Sequence, residues 1–419
     1  MFENYDYKKH PANEGIDYTF NGTMTEAVLH NYLSRAVTLS NEEGDELKST
    51  DEHYIRFLLT VGAKYVGRAC CAWVVSEREV ATHPEQKKFL ELAHSYDPEI
   101  IFEGTIFENI RRGQIDTVLI PPHILETFGE VVEERYFKYE NMIFEDGVLT
   151  DLFGVGGSAP DITRIETQMY FYWRGCLLID DGYEAIHMGQ IGMIGAHDKD
   201  LVCFTKIFDM IRKYAKTHAR RGYVLINAHG RNRVDANGYL MLDFVEAPCR
   251  AQPIPGCTEK MPPTEETPQE AILLVNKWET TFRSSIYTRT VGGKTHMGWE
   301  CERQPYLVEL DNYSPSGEVD VPNYEDWDVW GRDEISWFAN QPDWYRRKWL
   351  QYAVDRVEEL DPGVGHFQLP GKRIAKVDVF RKQNRYCAFD KSYCDIGFSD
   401  EQAILDVFIN DHKKRLGIK

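Results

Sequence analysis

A chain of 419 residues, 42% hydrophobic and 27% charged, has the composition of a globular enzyme, and its length suits one core only if that core is an elaborated α/β barrel. The formal charge of −19, with no basic block to offset it, excludes a surface built for nucleic-acid phosphates. No run approaches the roughly 20 apolar residues of a membrane span, and the polar start MFENYDYKKHPANEG is no signal peptide. Nine cysteines without a CxxC spacing point to reduced thiols in a cytoplasm, not to a zinc ribbon or a redox motif.

Residues 1–51 read as an N-terminal helical cap, with a helix over Thr23–Ser40 opened by its threonine. From residue 52 to 419 the pattern is that of a barrel. KYVGRACCAWVV (64–75) is a strand, HPEQKKFLELAHSYDP a helix stopped by its proline, and EIIFEGTIF (99–107) the next strand. TVLIP (117–121) is a weak strand followed by the helical PHILETFG. Residues 129–160 are loop-rich, and their GVGGSAPD lacks the GK[ST] of a phosphate loop. Asp161 caps a long helix, ITRIETQMYFYWRGCLLID.

The central unit runs from Asp180 to Gly230. A strand at 184–191 leads to LVCFTKIFDMIRKYAKTH, with Leu201, Phe204, Ile207, Phe208, Ile211 and Tyr214 at helical spacing, and then to a strand at 222–229. Strand, amphipathic helix, strand implies parallel strands and a right-handed crossover. Leu240–Phe244 is a doubtful eighth strand, close enough to the last to be a hairpin. An insertion occupies about 247–300, Pro-rich over 247–264 and helical over Pro268–Tyr287. YLVELDN (306–312) is a strand, 333–360 holds a long helix, and 365–369 is the last strand. Seven strands, or eight, alternating with helices predict a (β/α)8 TIM-type barrel with loop insertions.

In such a barrel the chemistry sits at the C-terminal strand ends, and one parity along each strand faces inward. Leu225, Asn227 and His229 form the mixed face of one strand, Leu307, Glu309 and Asp311 that of another, and His366 and Gln368 that of a third. Buried polar groups without partners cost about 1–3 kcal/mol each, so their recurrence points to a site instead of a merely structural layer. The carboxylates near strand ends are Glu103, Glu108, Asp243, Glu246, Glu309 and Asp311. Hydrolysis of a glycoside needs two of them, a proton donor and a nucleophile or base. Asp311 is assigned as nucleophile or base, Glu108 as proton donor and Glu309 as an orienting neighbour, with either Glu309 or Asp311 carrying a raised pKa. Arg68, Trp73, Gln190, Asn227, His229, Trp330, Trp337, His366 and Gln368 are the substrate-binding candidates. The aromatic residues of PNYEDWDVWGRDEISWFANQPDWYRRKW, Trp327 among them, sit in polar company and suit the C–H faces of a sugar.

In layout, and in segments such as YEAIHMGQ, VELDN and EISWFANQP, the chain resembles (β/α)8 glycoside hydrolases of the retaining-barrel type and bacterial glycosidase-like proteins. The resemblance implies a glycosidase acting on a small carbohydrate, without metal or cofactor, with no nucleic-acid or membrane partner and with self-association left open. One departure stands out. The Asn-Glu dipeptide that often supplies the acid/base after the fourth strand is absent, and His187-Met188-Gly189-Gln190 takes its place. Two other classes compete. A metal-dependent barrel hydrolase or isomerase would use His187, His229, Asp311 and His366 as ligands, and a non-catalytic sugar-binding protein would need only the aromatic rings.

Overall fold

The computed structural model describes residues 5–40, 52–229, 233–274, 290–313, 317–324 and 328–417. Trp327, most of the Pro268–Tyr287 helix and residues 41–51 of the expected cap lie outside them. Ten strands form one curled sheet: β1 Ala36–Leu39, β2 Tyr65–Cys70, β3 Ile101–Thr105, β4 Ala185–Gln190, β5 Leu225–His229, β6 Val245–Pro248, β7 Tyr306–Glu309, β8 Gly365–Phe367, β9 Leu369–Val377 and β10 Gln383–Cys387. Their order is β8-β7-β6-β5-β4-β3-β2-β1-β9-β10. Every neighbouring pair is parallel except β9 with β10. The run β1–β7 is flanked on both sides by one stretch of chain, because β8 pairs with β7 and, after Gln368, β9 pairs with β1.

The main helices are α1 Glu26–Leu33, α2 Glu52–Val61, α3 His83–Tyr96, α4 Ile165–Asp181, α5 Val202–His218, α6 Glu334–Ala339, α7 Asp343–Leu360 and α8 Glu401–Arg415. Among the described residues no helix is long and apolar enough to cross a membrane. The central unit is strand, helix and parallel strand, as expected. Phe204, Ile207, Phe208 and Ile211 are fully buried on the inner stripe of α5, each worth about 1.5–3 kcal/mol relative to exposure.

Several sequence expectations are corrected. The helix expected to run to Ser40 stops at Leu33, and AVTL, with Val and Thr that favour a pleated surface, becomes strand β1. The stretch expected as a cap therefore also supplies a sheet strand. TVLIP is no strand of this sheet; a 3-10 turn at Ile115–Thr117 precedes it, and Leu119 makes one isolated bridge. The doubtful eighth strand falls later, at Val245–Pro248, and runs parallel to β5 instead of folding back as a hairpin. Residues 230–244 are just long enough for such a connection. Strands β9 and β10 and helix α8 had no counterpart in the sequence reading.

Two apolar layers lie on opposite faces of the sheet. The larger packs helices against the outer face. The smaller joins Ala36, Tyr65, Ile101, Ala185, Leu225 and Leu307, at or near the N-terminal strand ends, to Phe20, Val28, Leu29 and Leu33. Two residues further along five of these six strands the same face turns polar, with Thr38, Glu103, His187, Asn227 and Glu309, and on β2 the position is Gly67. Gly371 marks how close β9 lies to β1, since a Cβ there would stand 2.7 Å from the Thr38 carbonyl oxygen. Gly371→Ala is therefore expected to cost about 1–3 kcal/mol in urea unfolding. An unchanged midpoint would mean the two strands stand further apart.

Candidate functional site

The polar layer is organised by Arg68. Its φ of 63° places it in the left-handed region, at an irregularity in the β2–β3 register between Val66 and Cys70. Bulges of this kind re-aim side chains, at a strain of about 1–3 kcal/mol for a non-glycine residue. The backbone N–H of Arg68 then donates to Glu103 Oε1 at 3.1 Å, while its Nη2 donates to Glu309 Oε1 at 2.6 Å and lies 2.9 Å from His229 Nε2. An arginine N–H can only donate, so His229 Nε2 accepts. Arg68 Nε stands 3.8 Å from Glu246 Oε1.

Glu309, at the end of β7, is fully buried. Besides Arg68 it accepts from Arg373 Nη1, and from Gln368 Nε2 at 3.2 Å. Gln368 can cross the inner face because Gly67 opposite has no side chain; a Cβ there would lie 2.5 Å from its amide oxygen. Burial pushes the Glu309 carboxyl up, but the Arg373 and Arg68 guanidiniums outweigh it and hold the group well below the usual carboxylate range. Its neighbours behave oppositely. Burial, then the Glu309 charge, raises Glu246 to about 7 against the pull of Arg68. Burial and Glu246 raise Glu103 to about 7, although His187 and Arg68 oppose the shift. Glu103 also accepts from the Tyr65 hydroxyl, and from Asn227 Nδ2 at 2.6 Å.

Burial, then Arg68 and His229, push the His187 imidazole well below its ordinary value. Its Nδ1 lies 2.6 Å from Asn227 Oδ1 and 2.9 Å from Glu246 Oε2. One proton serves one acceptor well, and only the Asn227 approach has hydrogen-bond geometry, so neither Glu246 oxygen accepts a hydrogen bond among the described residues. The His187 and His229 rings meet edge to face at 4.7 Å. His229 keeps 13% of its side chain exposed. Above them Phe107 lies 5.2 Å from Trp73, which in turn meets Phe153 at 5.2 Å and is 42% exposed. The Arg68 guanidinium lies over the Phe107 ring.

The structure thus brings together Arg68, Asn227, His229, Glu309 and Gln368, with Trp73 at the rim. Asp311 lies across the Arg373 guanidinium from Glu309, accepting from Arg373 Nη2 and from the backbone N–H of Asn312 at 2.8 Å. Glu108 is buried and accepts from the backbone N–H and side-chain amide of Gln190, both at 3.0 Å. Gly189, with φ 57°, makes room for it. The expected raised pKa falls on Glu246 and Glu103, not on Glu309, because two guanidiniums converge on Glu309.

His366 sits at the opposite end of the sheet, with Nε2 2.8 Å from His30 Nδ1 of α1. Trp330 and Trp337 are core residues, not cleft rings. The polar company of the C-terminal aromatics has another cause. Trp337, Trp344 and Trp349 donate their indole N–H groups to the carbonyls of Gln269, Glu265 and Ala271, tying the insertion to α6 and α7. Arg373 and Tyr65 escaped the sequence reading. The β1–β9 register shifts between Thr38 and Leu39, so strand parity could not place Arg373.

Among the described residues two clusters have the donor set for a metal ion. Cys70, Glu79 and His83 are one, but Arg174 already donates to both Glu79 oxygens there. Glu103, His187 and Glu246 are the other, with ligand atoms within 4.8 Å of one another. The vacant Glu246 oxygens suit a cation, whereas the nearby Arg68 guanidinium repels one.

No family model matches the chain, and no curated protein matches it. Among solved structures it is similar to a debranching enzyme from Nostoc punctiforme at 14% identity, over 47% of this chain and 41% of that one, with a TM-score of 0.28. It is similar to the glycoside hydrolase domain of PelA from Pseudomonas aeruginosa at 7% identity, over 80% and 94% of the two chains, with a TM-score of 0.32. A GH27 β-L-arabinopyranosidase from Geobacillus stearothermophilus in complex with arabinose matches at 10% identity over 82% and 73%, with a TM-score of 0.35. The chain spans about half or less of the debranching-enzyme chains, 41% and 52%.

Proposed function

We propose that the chain is a (β/α)8-barrel hydrolase that cleaves the glycosidic bond of a small carbohydrate or glycoside, with Glu246 as proton donor and Glu309 as nucleophile or base. The observation that carries this reading is the pair itself. Glu246 and Glu309 flank one guanidinium, Arg68, yet one is raised to about 7 and the other held well below the usual carboxylate range. Environments that push two carboxyl groups apart in this way define an acid and its charged partner. The pairing of β8 with β7 and of β9 with β1 supports closure of the barrel through residues 365–377, which would put the pair toward its C-terminal face. Trp73, Phe107 and Phe153 supply flat faces beside it for a sugar ring, so the substrate-binding roles of Trp73, Asn227 and His229 are retained and those of Trp330, Trp337 and His366 are dropped.

The test is a pH profile of kcat/KM on a panel of aryl glycosides. Glu246 must be protonated to donate, so activity is expected to fall as pH rises through about 7. A profile flat from pH 6 to 9 would remove Glu246 from the role. A second reading is favoured by the Glu103–His187–Glu246 cluster, a metal-assisted hydrolase or isomerase. The first reading expects full activity in EDTA; loss in EDTA with recovery on zinc or manganese would put the second in its place.

A further inference from the structure

Beside β9, strand β10 and the turn after it bring two thiols together. Cys387 ends β10, and Cys394 follows seven residues later, a spacing outside the CxxC pattern. Their sulfur atoms are 3.9 Å apart. The backbone holds both in place. Phe398 N–H donates to the Cys387 carbonyl, Cys394 N–H to that of Asp390, and Gly397 N–H to that of Cys394. Cys387 is buried and Cys394 is half-buried.

Two basic side chains act on Cys394. Lys372, opposite Cys387 in the β9–β10 register, and His53 both favour its thiolate, and Arg56 stacks on the ring of neighbouring Tyr393 at 4.0 Å. Cys387 donates a hydrogen bond that is the largest influence lowering the Cys394 thiol, while burial and that same bond raise Cys387. The thiols of Cys70, Cys176, Cys203, Cys249 and Cys301 are all pushed up, first by burial. Reactive cysteines occupy partly exposed, electropositive surroundings of this kind, and inert ones are buried in apolar ones.

We propose that Cys394 and Cys387 are a peroxide-responsive dithiol, with Cys394 the attacking sulfur and Cys387 the resolving one. The Cys394 thiolate attacks one oxygen of a hydroperoxide and breaks the O–O bond. For hydrogen peroxide the leaving hydroxide takes up a proton to become water, and Cys394 becomes a sulfenic acid. The Cys387 sulfur then attacks the Cys394 sulfur, gives up its proton, and displaces the sulfenic hydroxyl as a second water. Two thiols lose two electrons and one peroxide gains them. The sulfurs need only close from 3.9 Å to about 2.05 Å, within reach of side-chain rotation.

The experiment uses the full chain, reduced and then treated with hydrogen peroxide. Lys391 lies between the two cysteines, so trypsin separates them unless a disulfide joins the peptides Tyr386–Lys391 and Ser392–Lys413. The expected result is loss of two of the nine free thiols, the joined peptide pair, and full return of both thiols on treatment with dithiothreitol. Modification of the half-buried Cys203, Cys257 and Cys301 should come later. Cys387→Ser should give no joined pair and should leave Cys394 as a sulfenic acid trapped by dimedone. Cys394→Ser should leave Cys387 a thiol. Oxidation of Cys203, Cys257 or Cys301 before any joined pair forms in the unsubstituted chain would overturn the proposal. So would an undiminished loss of Cys387 thiol in Cys394→Ser.

Discussion

Glu309→Gln is expected to lose turnover by several orders of magnitude on every aryl glycoside, whatever its leaving group. Glutamine keeps the shape of the side chain and removes the charge that must attack the anomeric carbon or activate water. Glu246→Gln is expected to behave differently. It should lose about 10²–10⁴-fold on substrates whose leaving group needs a proton, and far less on one that departs as a stable anion. The two variants also differ in what they do to the fold. Glu246 is raised to about 7, so a neutral amide there resembles the state it already occupies near neutrality. Glu309 neutralises Arg68 and Arg373, and removing one partner of a buried ion pair costs about 3–5 kcal/mol. Urea unfolding beside the kinetics separates a lost nucleophile from a lost fold. Near-normal turnover in Glu309→Gln would reduce Glu309 to part of a structural polar layer.

A comparable effect on stability is expected at Arg174, on the outer side of the sheet. Its guanidinium donates to both oxygens of Glu79 and lies 3.0 Å from His83 Nε2, and His83 Nδ1 pairs with Asp181. All four side chains are buried. Arg174→Met fills the same space but leaves two carboxylates facing one imidazole, a loss of about 3–5 kcal/mol in urea unfolding at pH 7.

The network also sets a pH dependence. Burial lowers the His83 pKa, but hydrogen bonds to Asp181 and Glu79 outweigh it, so the folded value is raised. The stability this contributes is fully present below the unfolded value of about 6.5 and is lost as pH rises through the folded one. Glu79 is depressed by Arg174 and His83 against the opposing effect of burial. Its contribution is present above its unfolded value of about 4.3 and is lost as pH falls through the folded one. A loss below about 1 kcal/mol in Arg174→Met would show that solvent reaches the cluster.

Periodicity made much of the layout legible. The 3.6-residue stripe of α5 and the apolar runs on either side of it are local properties, and they place β4, α5 and β5 without reference to any distant residue. Strand parity likewise put Asn227, His229, Glu309 and Gln368 on one face. Where a pattern was short or mixed it misled. Four residues, AVTL, following a helix do not separate themselves from it, so β1 went unseen, and aromatics in polar company suited a cleft as well as the N–H···O=C ties they make.

The polar layer's chemistry depends on groups far apart in the chain. Glu246 and Glu309 are two glutamates at the ends of two similar strands, and nothing adjacent to either distinguishes acid from base. The distinction comes from Arg68, turned inward by a bulge on β2, and from Arg373, past the last strand the pattern shows. By itself the sequence determined an acidic α/β chain of parallel strands with a polar inner face, because side-chain alternation and hydrophobic periodicity are written residue by residue. Only the tertiary structure decided which carboxyl is pushed up and which is held down, because burial and the distance to a guanidinium are set by chain segments far apart in the sequence.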